Sequence, residues 1–187
     1  MGKFNFIETE IEDLLIIEST VFGDDRGFFM ETYNQAEFAE SGFLHRFVQD
    51  NHSKSKKGVL RGLHMQVHNP QGKMVRVIKG EVYDVAVDMR CSSSTFGKYK
   101  GIVLSEKNKL QFYVPEGFAH GFLVLSDEAE FVYKCTRPYD PSDELGIIYN
   151  DRDIGIDWPY PNGMNPLLSK KDIELKNLKE VRKILGI

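Results

Sequence analysis

From residue 59 onward, short apolar-rich runs recur every eight to twelve residues, at 59–66, 73–79, 81–89, 98–104, 110–114, 119–125 and 129–136. Runs of that length, broken by glycine-rich turns, predict strands of a sandwich or barrel rather than strand–helix–strand units. Gly80 to Arg90 alternates almost strictly between polar and apolar positions. Upstream, Leu14 to Glu18 predicts a short strand, Val21 to Gly27 a turn-rich loop, and Phe28 to Tyr33 another strand. Gln35 to Glu40 predicts a short helix stopped by Gly42. Phe47 to Ser53 begins apolar and ends polar, as a strand running into a site would. The block 137–165 is rich in Pro, Asp, Asn and Gly, holds the only tryptophan, Trp158, and reads as a long ordered cover. From Glu174, Leu175, Leu178, Val181 and Leu185 follow helical spacing and predict an amphipathic helix packed on the strands. No internal repeat or linker interrupts the pattern, so 1–187 is expected to be one domain, all-β with a few short helices.

Composition narrows the function classes. The formal net charge is −4, so no bulk attraction to nucleic acid or an anionic membrane is implied, and any phosphate must be held by local Arg and Lys. No apolar stretch approaches a membrane span and the first residues lack a signal-peptide core, which points to the cytoplasm. Cys91 and Cys135 have no motif spacing and are expected to be free, buried thiols in a reducing compartment. No Walker loop or Rossmann fingerprint is present.

The chemistry concentrates in Val59 to Lys73, where Arg61, His64, Gln66 and Lys73 lie on or beside two strands joined by an Asn69-Pro70-Gln71-Gly72 turn. The layout resembles the first motif of the cupins, whose two histidines and a glutamate hold a metal together with a histidine from a second motif. Here Gln66 replaces the second histidine and Lys73 stands in the glutamate slot, while Pro115, Gly117 and His120 keep the second motif intact. An ammonium in a ligand ring repels a cation. The expected fold is therefore a cupin-type jelly-roll barrel that performs acid–base chemistry without a metal.

Taken alone, several of these residues also admit structural roles. His64, centred in the motif, suits a general base, and a carboxylate partner would fix its tautomer. Lys73 is either a surface charge or an inward cation able to stabilise an enolate. His120 suits structural support as well as catalysis, Tyr133 a core tyrosine as well as a proton donor, and Asp172 a helix cap. Arg26 sits in a turn, whereas Arg61 is placed to grip phosphate bidentately.

Ordered blocks across nearly the whole chain carry a closer resemblance. They are Val21 to Phe29, Phe47 to Ser53, Leu60 to Gln66, Gly80 to Asp88, Pro115 to Phe122, Asp153 to Pro159 and Leu168 to Asp172. The chain resembles the dTDP-4-dehydrorhamnose 3,5-epimerase family of metal-independent cupin epimerases. That resemblance implies His64 as base polarised by Asp172, Tyr133 as the acid on the opposite sugar face, and Lys73 facing the C4 oxygen. It implies that Arg61, Gln49, Asn51 and Lys171 bind diphosphate and sugar, with His120 in the site and Tyr139 near the nucleotide. Phe22, Arg26 and Glu31 would reach a neighbouring subunit's site through an N-terminal strand exchanged in a homodimer. The implied substrate is dTDP-4-keto-6-deoxy-D-glucose, with no cofactor. Met65 stands where the family usually has an aromatic residue. Relatives that invert only C3 share much of the same set, and a cupin that binds a sugar nucleotide without turnover is the competing class.

Overall fold

A computed structural model describes residues 2–160 and 163–187. Its strands are β1 (Phe4–Glu8), β2 (Leu15–Ser19), β3 (Val21–Asp24), β4 (Gly27–Met30), β5 (Gln49–Lys56), β6 (Leu60–Gln66), β7 (Lys73–Lys79), β8 (Glu81–Asp88), β9 (Tyr99–Ser105), β10 (Gln111–Val114), β11 (Phe118–Val124), β12 (Glu128–Cys135) and β13 (Glu144–Gly146). The helices are α1 (Gln35–Glu40), α2 (Lys170–Ile173) and α3 (Leu178–Leu185). The seven runs expected from residue 59 onward become β6 to β12, each within one residue of its expected bounds.

All ladder pairing between these strands is antiparallel, in two main sheets of order β1-β2-β10-β7-β12-β5 and β13-β6-β11-β8-β9. This is the expected jelly roll. Strand parity sends Val75, Val77, Phe112 and Phe131 of the first sheet against Val82, Ala86, Phe118 and Phe122 of the second. The Phe122 and Phe131 rings stack across the gap with centroids 4.3 Å apart.

The near-strict alternation along β8 conceals burial on both faces. Val82 and Ala86 enter the core between the sheets, while Val85 and Val87 lie in a second core with Ile147, Ile154, Trp158, Leu178 and Val181. The 137–165 block, of which 161–162 lie outside the described residues, thus supplies an apolar layer over the second sheet. It also contributes β13, which pairs with β6. Trp158 is held by its indole N–H, which donates to the Tyr149 carbonyl at 2.8 Å. On the outer face of the first sheet, Phe38 of α1 and Phe43 cover Ile17, Met74 and Tyr113.

Five points differ from expectation. β1 was not anticipated; Phe4 and Phe6 pack under α1, and the strand zips onto β2. The loop expected at Val21 to Gly27 is β3 and the tight turn of a hairpin with β4, and the strand expected to reach Tyr33 ends at Met30. The C-terminal helix begins at Leu178, and Leu175 lies ahead of it against Gly146. Cys135 is buried as expected, but Cys91 is exposed, in a polar turn that no apolar layer covers. No helix among the described residues is long and apolar enough to cross a membrane.

If the cover is a true second core, Trp158→Ala should destabilise the protein by about 3–5 kcal/mol. Truncation of the exposed Ile184 to Ala should stay within about 0.5 kcal/mol, both read by denaturant unfolding. Equal, small effects would contradict the two-core description.

Candidate active site

Between the sheets lies a cavity of about 560 Å³ lined by side chains from both. The parity that builds the core also loads this cavity. Lys73 shares the inward face of β7 with Val75 and Val77, and Tyr133 shares that of β12 with Phe131. His120, from β11, and Arg61 and His64, from β6, complete the opposite wall.

Arg61 and His64 are three residues apart and in a regular strand would face opposite ways. A bulge resolves this. Along the β6–β11 ladder His64 stands opposite His120 and Arg61 opposite Phe122, so three steps on β6 match two on β11. Leu60, Leu63 and Met65 then enter the outer core, while Arg61 and His64 face the cavity. Gly62, the bulged residue, has φ of +110°, and a Cβ there would come within 2.6 Å of the His120 carbonyl oxygen. Only glycine fits such a close crossing of two backbones.

The same bulge connects the strand to Asp172. The Gly62 N–H donates to Asp172 Oδ1 at 3.2 Å, and His64 Nε2 stands 2.8 Å from that oxygen, with the ring turned off a linear hydrogen bond. The other carboxylate oxygen accepts from the Ser169 hydroxyl at 2.6 Å. Ser169 caps α2 and Asp172 answers in a capping box. The helix-cap reading and the histidine-partner reading of Asp172 are therefore both met by one carboxylate. Burial alone would raise the Asp172 pKa, but the adjacent His64 ring and hydrogen bonds from Ser169 and Gly62 outweigh it and hold the carboxyl at about 2.

His64 Nδ1 looks the other way, 3.8 Å from Glu144 Oε1. Glu144 is tied to Lys171 and accepts from the Tyr139 hydroxyl at 2.7 Å. Lys73 makes no ion pair among the described residues; burial depresses its amine, against the opposing pull of Cys135, Glu144 and Asp84. Burial, with the Cys135 thiol nearby, raises the Tyr133 phenol, which keeps it protonated as a donor must be. His120 Nε2 meets the fully buried Asp84 at 2.9 Å. Arg61 is oriented by Ser55, whose oxygen accepts from Nε and Nη2 at 3.2 and 3.0 Å. Gln49 and Asn51 are hydrogen-bonded to each other beside this cavity, with Asn51 also reaching the Cys135 sulfur.

The structure thus brings together His64, Asp172, Lys73, Tyr133, His120, Arg61, Tyr139 and Lys171, with Gln49 and Asn51 at the edge. It does not bring Phe22, Arg26 or Glu31 there: Phe22 is exposed on the β3–β4 hairpin, Arg26 pairs with Asp24, and Glu31 pairs with Lys3. Two site residues escaped the sequence reading. Asp84 was detectable, because parity places an acid inward between Val82 and Ala86. Glu144 sits in no motif, and only its spatial ties to Lys171, Tyr139 and His64 reveal it.

A family model described as dTDP-4-dehydrorhamnose 3,5-epimerase matches residues 8–180. The chain belongs to that family. The epimerase of Shigella flexneri is 61% identical over 171 residues, covering 90% of this chain and 93% of that one. The epimerase of Methanothermobacter thermautotrophicus is 53% identical over 180 residues, covering 96% and 97%. A crystal structure of the Legionella pneumophila enzyme with dTDP-4-keto-L-rhamnose superposes with a TM-score of 0.93 at 50% identity, covering 97% of this chain and 96% of that one. As a member of this epimerase family the chain is an isomerase.

Two predictions test how this epimerase builds its site. Gly62→Ala should lose about 3 kcal/mol or more of stability through backbone strain and overlap, and turnover should fall about 100-fold as His64 shifts; unfolding and rate assays read both. The second concerns pH. A carboxyl whose pKa is depressed on folding contributes stability that is present above its ordinary value of 3.8 and lost as pH falls through about 2. Asp172→Asn should therefore flatten the decline in unfolding free energy between pH 4 and 2, and an unchanged slope would contradict the carboxyl geometry.

Proposed function

We propose that this chain epimerises dTDP-4-keto-6-deoxy-D-glucose at C3 and C5 to dTDP-4-keto-L-rhamnose, by deprotonation and reprotonation through an enolate, in dTDP-L-rhamnose biosynthesis. The observation that carries the reading is that His64 and Tyr133 reach one cavity from opposite sheets, with Lys73 in the same cavity. A base and an acid so placed can address opposite faces of one sugar ring.

The C4 ketone acidifies the protons on C3 and C5. His64 removes one through Nδ1, and the carbon–hydrogen electron pair moves into the C4 oxygen. Asp172, at Nε2, stabilises the imidazolium, and the Lys73 amine stabilises the oxyanion. Collapse of the enolate takes a proton from the Tyr133 hydroxyl on the far face. Exchange with solvent returns His64 and Tyr133 to their starting states, and a ring flip presents the second carbon to the same base. Arg61, Gln49, Asn51 and Lys171 hold diphosphate and sugar, His120 with Asp84 supports the sugar side, and Tyr139 lies near the nucleotide. No metal or redox cofactor takes part.

The whole of 1–187 acts as one cytoplasmic cupin-type domain, engaging neither nucleic acid nor membrane. It works as a homodimer. Val21, Phe22, Phe28 and Phe29 are 41–63% exposed on a hairpin that joins neither main sheet, and exposed aromatics of this kind suit a subunit contact. Exchange of that segment would carry Phe22, Arg26 and Glu31 to the partner's site.

His64→Ala should lower turnover of dTDP-4-keto-6-deoxy-D-glucose by about 1,000-fold or more with folding retained. Tyr133→Phe should lose product formation to a similar degree while keeping part of the proton abstraction. Wild-type rates in either variant would remove that residue from the mechanism.

A further inference from the structure

The segment 137–143, between β12 and β13, carries Tyr139 past the cavity without a strand partner of its own. Pro138 and Pro141 flank it and have no N–H, so Tyr139 and Asp140 hold the only backbone donors of residues 138–141. Glutamine side chains take both. Gln49 Oε1 accepts from the Tyr139 N–H at 2.9 Å, and Gln66 Oε1 accepts from the Asp140 N–H at 2.9 Å. A third glutamine, Gln71, donates to the Arg137 carbonyl at 2.7 Å. Tyr139 is 48% exposed, so burial does little to hold its ring in place. Its position follows from how its backbone is fastened.

Gln66 is the central fastening. It is 4% exposed and uses both ends of its amide, since Nε2 also donates to the Asn69 carbonyl at 2.7 Å. One side chain thereby joins the 66–69 turn to the Tyr139 segment. It also stands in register opposite Glu144, the carboxylate that receives the Tyr139 hydroxyl. The amide accepts from one backbone group while donating to another, at any pH. An ionised glutamate would set a carboxylate against the Asn69 carbonyl, and an apolar side chain would leave the part-buried N–H of Asp140 and the Asn69 carbonyl without this partner.

We propose that Gln66, the residue in the second-histidine slot of the motif, is a positioning residue that fixes Tyr139 where the nucleotide binds. This rests on the reading of Tyr139 as a nucleotide contact. Because Gln66 acts through the backbone of the Tyr139 segment and touches none of the groups assigned to proton transfer, its loss should weaken binding more than it slows the chemical step.

The test uses Gln66→Met, close in size, and Gln66→Glu. For Gln66→Met the expected result is a rise of about tenfold in Kd for dTDP and in KM, on the scale of one or two lost hydrogen bonds. The kcat should stay within about twofold. Hydrogen exchange at the Tyr139 and Asp140 amides should quicken in the same variant. Gln66→Glu should regain dTDP affinity as the pH is lowered and the carboxyl gains a proton to donate; it also carries the test if Gln66→Met does not fold. Unchanged dTDP affinity with lowered thermal stability would reduce Gln66 to a structural residue and overturn the proposal alone. A wild-type protein that neither binds dTDP nor turns over the sugar nucleotide would overturn the functional reading, and this proposal with it.

Discussion

The site depends on one extra residue in one strand. Without the bulge at Gly62, Arg61 and His64 would lie on opposite faces of β6, and one of them would point into the outer core. The bulge makes the pleat slip by one position, so that Leu60 and Leu63 share the apolar layer while Arg61 and His64 share the cavity. It also frees a backbone N–H, which Asp172 accepts, so the strand irregularity and the carboxylate behind His64 form one arrangement. The near contact of Gly62 with the His120 carbonyl shows why the bulge requires a glycine.

Around that frame, burial and hydrogen bonding displace the ionisable groups in useful directions. Asp172 is buried but thoroughly bonded, and is held as an anion. Lys73 is buried without an ion pair among the described residues, which weakens its hold on its proton, while Tyr133 is buried and strengthened in its own. In the proposed mechanism these become a fixed anion behind the base, an unpaired amine beside the developing negative charge, and a protonated phenol across the cavity, the division of roles that proton abstraction beside a carbonyl requires. The cover over the second sheet contributes indirectly, by burying the outer face of β8 and so fixing the wall from which Asp84 meets His120.

Much of this was legible in the chain, for physical reasons that differ by region. The strands from β6 to β12 announce themselves because each carries apolar residues bounded by turns, and Lys73 and Tyr133 inherit their inward direction from Val75 and Phe131. β1 escaped because Phe4 and Phe6 look unremarkable until β2 and α1 are placed over them. Val21 to Gly27 read as a turn because its glycines and aspartates dominate, although only Asp25 and Arg26 stand between the two strands. Asp172 shows in sequence only its local role as a cap; its contact with His64, 108 positions earlier, is a product of the fold. The bulge itself was invisible, since Arg-Gly-Leu-His reads equally well as a regular strand.

In the proposed mechanism one base abstracts protons from both carbons beside the ketone. Proton NMR of dTDP-4-keto-6-deoxy-D-glucose with the wild-type protein in D2O tests it most directly. Solvent deuterium is expected at both C3 and C5, together with conversion to dTDP-4-keto-L-rhamnose. Deuterium at C3 alone would contradict the double inversion, and absence of exchange at both carbons would contradict the mechanism altogether.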